Sequence, residues 1–470
     1  MVETREKTVA AAAVDDFRST LRGELIRPGD AGYEEARKVY NAMHDRKPAV
    51  VVRCVDAGDV IAAVNFAREF GGDLSVRGGS HSAPGFGTND GGVVIDLSPL
   101  KGIRVDPRAR IARAEGGCTW ADFNHATHAF GLASTGGIVS TTGISGLTLG
   151  GGIGYLARGC GLALDNLLSA DVVTADGQFL VASESENEDL FWALRGGGGN
   201  FGVVTSLEYG LHPIKDILAG VFVFPLERAR ELFEFFREYI ETAPEELGAN
   251  AAYLVAPPLP FLPEKEHGKT FCGIVACWAG PLDKGEQALA PIREVAPTVG
   301  EMVAPMPYPA INALFDELLP PGLQQYWKGS FAGELTDGAI EAHLKFGPEI
   351  PTVNCAMHIY PINGACHRVS PDATAFAYRD AKFATVIAGA WPDPADNEKN
   401  VKWVRDYYKA LEPHSAAGGY INFMDADDQG RIKDNYKGNY QRLVDVKKKY
   451  DPTNLFRMNQ NISPNGAGAQ

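Results

Sequence analysis

The sequence lacks any pair of cysteines at C-x-x-C spacing. Its seven cysteines, Cys54, Cys118, Cys160, Cys272, Cys277, Cys355 and Cys366, are scattered. An odd, dispersed set excludes a dense disulfide framework and fits free thiols in a reducing compartment. No metal site is expected. A run of about 18 or more apolar residues is also missing, so no membrane-crossing helix is expected. The opening segment MVETREKTVAAAAVDDF has no long apolar stretch and does not read as a signal peptide; a cytoplasmic location is expected. Positive charge is short: Lys and Arg number 44 against 59 Asp and Glu, a net charge of −15. That balance argues against nucleic acid, whose phosphates demand clustered cations. The one basic run, Lys447-Lys448-Lys449, sits in a mixed-charge, helix-like segment and reads as a solvated helix face. P-loop, HExxH and GxSxG motifs are absent, as are internal repeats.

What the chain does have is length, apolar content and glycine. At 470 residues it is too long for one ordinary core, and two or three domains are expected. Hydrophobic residues make up 45% and charged residues 22%, a globular balance. Up to about residue 205, helical patterns alternate with short β-rich runs: AGYEEARKVYN and DAGDVIAAVNFAREFG as helices, PAVVVRC, DLSVRGG and GGVVIDLS as strands. After about residue 210, VFVFPL, NAAYLVAPP and FCGIVACWAG suggest an antiparallel sheet with helices. The tail from Asp434 reads as one helix, a DPTN turn and a short terminal run. The glycines from Gly131 to Gly161 are interleaved with Ile, Val, Leu and Tyr, which suggests backbone packed closely on something rather than a linker.

Gly197-Gly198-Gly199-Asn200-Phe201-Gly202 matches the GxGxxG pattern, and Gly152 to Ala157 matches GxGxxA. The dinucleotide fingerprint must follow a strand and open a helix. The first match follows a helical run and opens a strand, and no clean strand precedes the second. A different phosphate-holding stretch is VRGGSHS, Val76 to Ser82. Paired glycines let backbone approach a ligand closely, and successive N–H groups there form a nest for an anion.

Taken together, RGGSHS, DGGVVIDLS, TTGISGLTLGGGIGYLARGCGLALDNLLSADVVTADG, DLFWALRGGGGNFGVVT and YDPTNLFRMNQNISP resemble FAD-linked oxidases of the vanillyl-alcohol-oxidase superfamily. The likeness is to the berberine-bridge-enzyme-like branch, in its bacterial 6-hydroxy-D-nicotine-oxidase-like group. It runs over almost the whole chain. The resemblance implies an α+β, two-domain, PCMH-type FAD-binding fold with an antiparallel-sheet substrate cap and a berberine-bridge-like C-terminal segment. The expected division is 1–207 for the N-terminal part of the FAD domain, 208–417 for the cap and 418–470 for the segment returning to the FAD domain.

The same resemblance implies FAD held by Arg77, Gly78, Gly79, Ser80, His81 and Ser82. Gly136, Thr142, Gly143, Gly146, Leu149, Gly152 and Gly154 follow in the second glycine-rich stretch, with Val203, Asn459 and Asn461 beyond it. His81 matches the histidine that the family bonds to the flavin 8α-methyl. Many relatives add a cysteine link where Val139 stands here, so a single link is expected; plant relatives often carry a histidine near the position of Leu147, so flavin tuning is expected to differ from theirs. Tyr420, on GGYINFMD, is the first choice of base, with Asn422 facing the same way on an expected strand and Tyr360 as a further pocket residue. A tyrosine of ordinary pKa, about 10, needs a positive or hydrogen-bonding neighbour to act as base near neutrality. Tyr326, Lys328, His367 and Tyr378 are other pocket candidates.

The implied reaction is hydride transfer from a small-molecule C–H (an alcohol, an amine or a natural-product intermediate) to flavin N5, with reoxidation by dioxygen to hydrogen peroxide. A dehydrogenase with another electron acceptor, or a non-catalytic flavin-binding protein, remain as alternatives. The expected partners are the substrate and dioxygen, with no nucleic acid and no membrane, for a monomer or homodimer.

Overall fold

Valine-rich runs set the first sheet. In the computed structural model, which describes residues 11–466, it comprises β1 (Glu24–Ile26), β2 (Val50–Arg53), β3 (Leu74–Arg77) and β4 (Val93–Asp96), in the order β1-β2-β4-β3. The reading of the first ten residues as no signal peptide lies outside the described residues. β2 and β3 run parallel to β4. Their side chains are buried on both faces, which is why the runs are continuously apolar rather than alternating. The Ala57–Phe70 helix begins where the Asp56 carboxylate accepts the Asp59 N–H and ends at Gly71 in the left-handed conformation. Such an N-cap stabilises a helix by about 1 kcal/mol.

A second, antiparallel sheet follows from β5 (Ile103–Asp106), β6 (Ile111–Glu115), β7 (Leu167–Val173), β8 (Phe179–Ser183) and β9 (Val203–Gly210), ordered β5-β6-β9-β7-β8. Between β6 and β7 lies the glycine-rich stretch, with two short helices, Ile144–Gly150 and Ala157–Cys160.

The third sheet is antiparallel throughout. Its strands are β10 (Asp216–Phe224), β11 (Leu247–Val255), β12 (Thr270–Trp278), β13 (Gly300–Pro307), β14 (Gln324–Ala332), β15 (Ala356–Pro361) and β16 (Phe383–Trp391), ordered β13-β10-β12-β11-β15-β16-β14. The helices Ala229–Thr242, Leu282–Glu294, Asp337–Phe346 and Asn397–Leu411 close one face over a core of Phe222, Tyr253, Ile274 and Ile387. The other face meets the glycine-rich stretch through Tyr155, Leu156, Val221 and Val275, and through Ile153, Tyr360, Val386 and Tyr420. This is the α+β architecture that the resemblance implied, with the glycine-rich stretch between sheets.

Four local readings are corrected. The helix expected over AGYEEARKVYN spans only Tyr33–Ala36, because Tyr40 and Asn41 are drawn to other partners: Asn41 Oδ1 accepts the Gln325 N–H at 2.9 Å. The expected C-terminal helix is two, Ile432–Tyr436 and Tyr440–Tyr450, separated at Lys437, whose φ is 47°. GGYINFMD is not a strand: Ile421–Phe423 is a single 3₁₀ turn after an extended Tyr420. Lys447 does not lie on a solvated face. It falls on the buried Leu443-Lys447-Tyr450 stripe of its helix, fully inaccessible. There its ammonium donates to Asp451 (2.7 Å) and to the carbonyls of Asn200 (2.7 Å) and Phe456 (2.8 Å). Lys448 and Lys449 are exposed.

Candidate functional site

β3 delivers the VRGGSHS stretch. Arg77, its last residue, turns its side chain into the sheet, where Nη2 donates to Asp96 Oδ2 at 2.6 Å and Nη1 to the Lys38 carbonyl at 2.9 Å. Its charge is thus engaged by the fold. Beyond it, Ser80 holds φ at 62°, a left-handed conformation uncommon outside glycine. Among the described residues, the backbone N–H groups of Gly79 to Ser82 donate to no protein oxygen. Successive free N–H groups beside a left-handed residue form the concave donor set that suits an anion. Ser82 Oγ accepts the Phe86 N–H at 3.3 Å.

The Gly78-Gly79 backbone abuts that of Thr142-Gly143 so closely that a Cβ on Gly79 would collide with Gly143. His81 stands at this junction, half-buried and stacked on Tyr40 with ring centroids 3.8 Å apart. Its Nε2 lies 2.9 Å from Thr141 Oγ1 and its Nδ1 3.4 Å from Thr142 Oγ1. Desolvation by the surrounding protein disfavours the imidazolium and holds its pKa well below the ordinary histidine value. The ring is neutral at physiological pH.

Gly143 caps the Ile144–Gly150 helix, and a Cβ on Gly146 would meet no protein atom. The Leu149 carbonyl accepts the N–H groups of Gly196 and Gly198, both at 3.0 Å. This joins the second glycine run to the third, from which β9 departs at the fully buried Val203. Gly136, Gly150, Gly152 and Gly154 are required by protein packing itself. Their Cβ positions are blocked by Trp120, Asn422, Ala163 and the Gly136 carbonyl respectively.

On this turn sits Tyr420. Its phenol oxygen accepts N–H groups from Gly152 (2.6 Å), Ile153 (3.4 Å) and Asn422 Nδ2 (2.9 Å). Asn422 Nδ2 also donates to the Leu147 carbonyl at 3.0 Å. Burial pushes the phenol up to about 12, while the three donated hydrogen bonds pull the other way. Phe423 packs edge-on to the Tyr420 ring at 4.7 Å, and Tyr360 lies 5.8 Å from Phe423. Tyr360 Oη and His358 Nδ1 are 2.8 Å apart, and burial holds that phenol far above its ordinary pKa. Tyr420 and Asn422 do converge, through a turn rather than strand alternation.

The C-terminal run adjoins the third glycine cluster. Asn459 Nδ2 donates to the Gly199 carbonyl at 3.1 Å. Asn459 Oδ1, Gln460 Nε2 and Asn461 Oδ1 are buried without a protein partner. Buried polar atoms are nearly always paired. These atoms and the free N–H groups after Arg77 are therefore a donor and acceptor set that fits a large polar ligand carrying an anionic group, as FAD does.

Sequence reasoning missed Tyr40, Thr141, His358 and Trp327; nothing local marks them. Tyr326 and Lys328 point to the helix-covered side. Tyr326 Oη donates to Asp427 at 2.6 Å, and Lys328 Nζ pairs with Asp427 and Asp428, at 2.5 and 2.8 Å. His367 is bound to the Ala381 carbonyl at 2.8 Å, and Tyr378 Oη to the Asp434 carbonyl at 2.8 Å.

A glycine-lined set of free N–H donors, a neutral histidine beside it and a phenol on a second glycine turn fit a flavin-binding protein. Comparison with known proteins agrees: a FAD binding domain matches residues 48–183, and a berberine and berberine-like domain matches residues 419–463. An FAD-linked oxidoreductase of Dictyostelium discoideum is 32% identical over 98% of this chain and 99% of its own length. The (R)-6-hydroxynicotine oxidase of Paenarthrobacter nicotinovorans is 31% identical over 95% of this chain and 98% of its own. The crystal structure of 6-hydroxy-D-nicotine oxidase from Arthrobacter nicotinovorans superposes with a TM-score of 0.84 at 28% identity, covering 94% of this chain and 98% of that one. The chain belongs to the berberine-bridge-enzyme-like FAD-linked oxidoreductases of the vanillyl-alcohol-oxidase superfamily. It is an enzyme, an FAD-dependent oxidoreductase, and no described helix is long and apolar enough to cross a membrane.

Proposed function

We propose that this protein is an FAD-dependent oxidase of a small molecule, in which Tyr420 removes the substrate's O–H or N–H proton. The observation that carries the reading is the phenol oxygen of Tyr420 held by the Gly152 and Ile153 N–H groups of the glycine turn and by Asn422 Nδ2. Each donor stabilises the phenolate over the phenol. That supplies the hydrogen-bonding neighbourhood a tyrosine base requires. Asn422 orients the phenol while anchored to the Leu147 carbonyl. Tyr360, tied to His358, bounds the substrate space and keeps its own proton.

Residues 1–207 and 418–470 together hold the cofactor in this reading, and 208–417 form the cap. Gly78 to Ser82, Gly136, Thr142, Gly143, Gly146, Leu149, Gly152, Gly154, Val203, Asn459 and Asn461 surround it, while Arg77 acts through the sheet. When bound, FAD supplies a hydride acceptor at N5 and a route for the electrons to dioxygen, with hydrogen peroxide as the product. The neutral imidazole of His81 would hold FAD through one ring-nitrogen bond to the 8α-carbon in place of an 8α C–H, the C–H and imidazole N–H protons and the electron pair leaving by way of the flavin to dioxygen as hydrogen peroxide. A single link follows from Val139, where many relatives carry cysteine. All seven cysteines are free, and six are buried, which supports a cytoplasmic location.

The test is acid precipitation of wild type and His81→Ala, with peroxide release measured under air. Yellow colour kept in the wild-type pellet alone, with peroxide formed on substrate addition, is the expected result. Colour released from the wild type overturns the covalent link. Turnover with an artificial electron acceptor but no peroxide overturns the oxidase reading in favour of a dehydrogenase.

A further inference from the structure

The cap sheet presents a face to the Tyr420 turn, and its register identifies the residues on it. Side chains alternate between the faces of a strand. Trp327 on β14 lies opposite Ala388 on β16, and Ala388 lies opposite Ala356 on β15. In the next row Gly329 is opposite Val386, and Val386 opposite His358. Nearly all residues of these three strands are buried, yet Trp327, Ala356, His358 and Ala388 keep partial exposure. The register makes those four contiguous. They form a partly accessible face, with alanine at its centre, Trp327 on one side and His358 on the other, which would floor and wall a recess. β14 and β15 are two strand spacings apart, about 9–10 Å, a width that suits a flat ring. Phe423, packed against Gly329, and Tyr360 bound the recess toward Tyr420.

The chemistry of this recess is narrow. Trp327 Nε1 is a buried N–H donor with no acceptor. His358 is kept neutral by burial, its pKa drawn down to about 4, and is paired with Tyr360. None of the positions assigned to this face on β14, β15 or β16 carries a formal charge. Lys328, adjacent to Trp327, points away and is held by Asp427 and Asp428. Asp316, which reaches the glycine-rich loop from the cap, is engaged by the Ser140 N–H and Oγ, at 2.9 and 2.5 Å. An ammonium in the recess would lose its hydration without gaining a counter-charge. A sugar would set many hydroxyls against alanine and valine.

We infer that the substrate is an uncharged, flat, largely apolar molecule carrying a hydrogen-bond acceptor oxygen, received by the Trp327 indole N–H, and is neither an amine cation nor an oligosaccharide. This rests on the oxidase reading for the direction of the recess toward Tyr420, and it names the substrate class of that same site.

The experiment is equilibrium binding to the flavin-loaded protein, followed by calorimetry and by perturbation of the flavin absorption. The probes are 2-acetonaphthone, naphthalene, 2-naphthylmethylamine at pH 7 and cellobiose. The ketone is expected to bind at least tenfold tighter than the amine or cellobiose. It is also expected to exceed naphthalene by roughly two- to tenfold, the range for one neutral hydrogen bond. Trp327→Phe should erase the margin over naphthalene, and Ala388→Phe, which fills the floor, should abolish binding of both while the protein keeps its melting temperature.

Amine or cellobiose binding as tight as the ketone overturns the inference. So does ketone binding unaffected by Ala388→Phe, or no binding by any probe. Failure of the oxidase reading has a different signature: the binding order holds, and an oxidisable member of the preferred class releases no hydrogen peroxide under air.

Discussion

Replacing Tyr420 by phenylalanine removes one oxygen and nothing else. Three N–H groups lose their acceptor: Gly152 at 2.6 Å, Asn422 Nδ2 at 2.9 Å and Ile153 at 3.4 Å. Asn422 keeps the Leu147 carbonyl, so its loss is partial. The Ile153 contact is long, and the Gly152 N–H bears the main penalty. One buried donor left unpaired costs about 1–3 kcal/mol. The variant should therefore fold, bind FAD as the wild type does and melt a few degrees lower. Loss of a general base lowers the chemical step by about 10²–10⁴. Anaerobic stopped-flow measurement of flavin reduction reads that step alone. The wild-type rate constant should rise tenfold per pH unit on the alkaline side, because the phenol ionises only near 12, and the variant's profile should lose that slope. Reduction within about threefold of wild type, far short of the loss expected for a general base, would refute the assignment of Tyr420 as base.

Lys447→Met strands the Asp451 carboxylate in the core and leaves two carbonyls without their donor, and urea denaturation should register a loss of about 3–5 kcal/mol. Gly79→Ala places a Cβ into the Gly143 backbone; purified protein should show a sharply reduced ratio of flavin to protein absorbance. His343 is buried beside Tyr407 Oη at 2.8 Å, with its pKa drawn down to about 3 by desolvation. The unfolded chain takes up this proton below about pH 6.5 and the folded chain does not, so stability is full above that pH and falls by about 1.4 kcal/mol per pH unit beneath it. His343→Asn should flatten that part of the denaturation profile between pH 6.5 and roughly 4.

Much of the scaffold is legible in the residues because glycine and valine answer to local demands. Gly71 ends a helix, and the VVVR and VVID runs make doubly covered strands. The order of helix, glycine cluster and strand around Gly197 to Gly202 also follows from pattern alone, and it separates this segment from a Rossmann-type fingerprint, which must follow a strand and open a helix. What pattern does not carry is the choice of face on an edge strand. QYWKGSF offers Tyr326, Trp327 and Lys328 in succession, and only the pairing of β14 with β16 turns Trp327 inward. Lys447 is a second case. Its ammonium is compatible with burial because Asn200 and Phe456, distant in sequence, lend carbonyls to it. Tyr40 reaches His81 because Asn41 binds the cap, a contact between residues 284 positions apart. Such partners are set by three-dimensional neighbours and leave no periodicity behind.

Asn200 gathers the end of the chain. Its side chain holds the Gln460 carbonyl at 3.1 Å and the Ile462 N–H at 2.9 Å, and its own carbonyl receives Lys447. The consequence is one of timing. Residues 1–210 can emerge from the ribosome and build their two sheets, but the phenol of Tyr420 and the amides of Asn459 to Asn461 are not yet synthesised. At typical elongation rates the remaining stretch takes roughly 10–50 s to appear. During that interval the first glycine loops are without the C-terminal run that closes them. With FAD held as proposed, flavin incorporation would report that translation has reached the end, and a chain cut short before residue 418 should remain colourless.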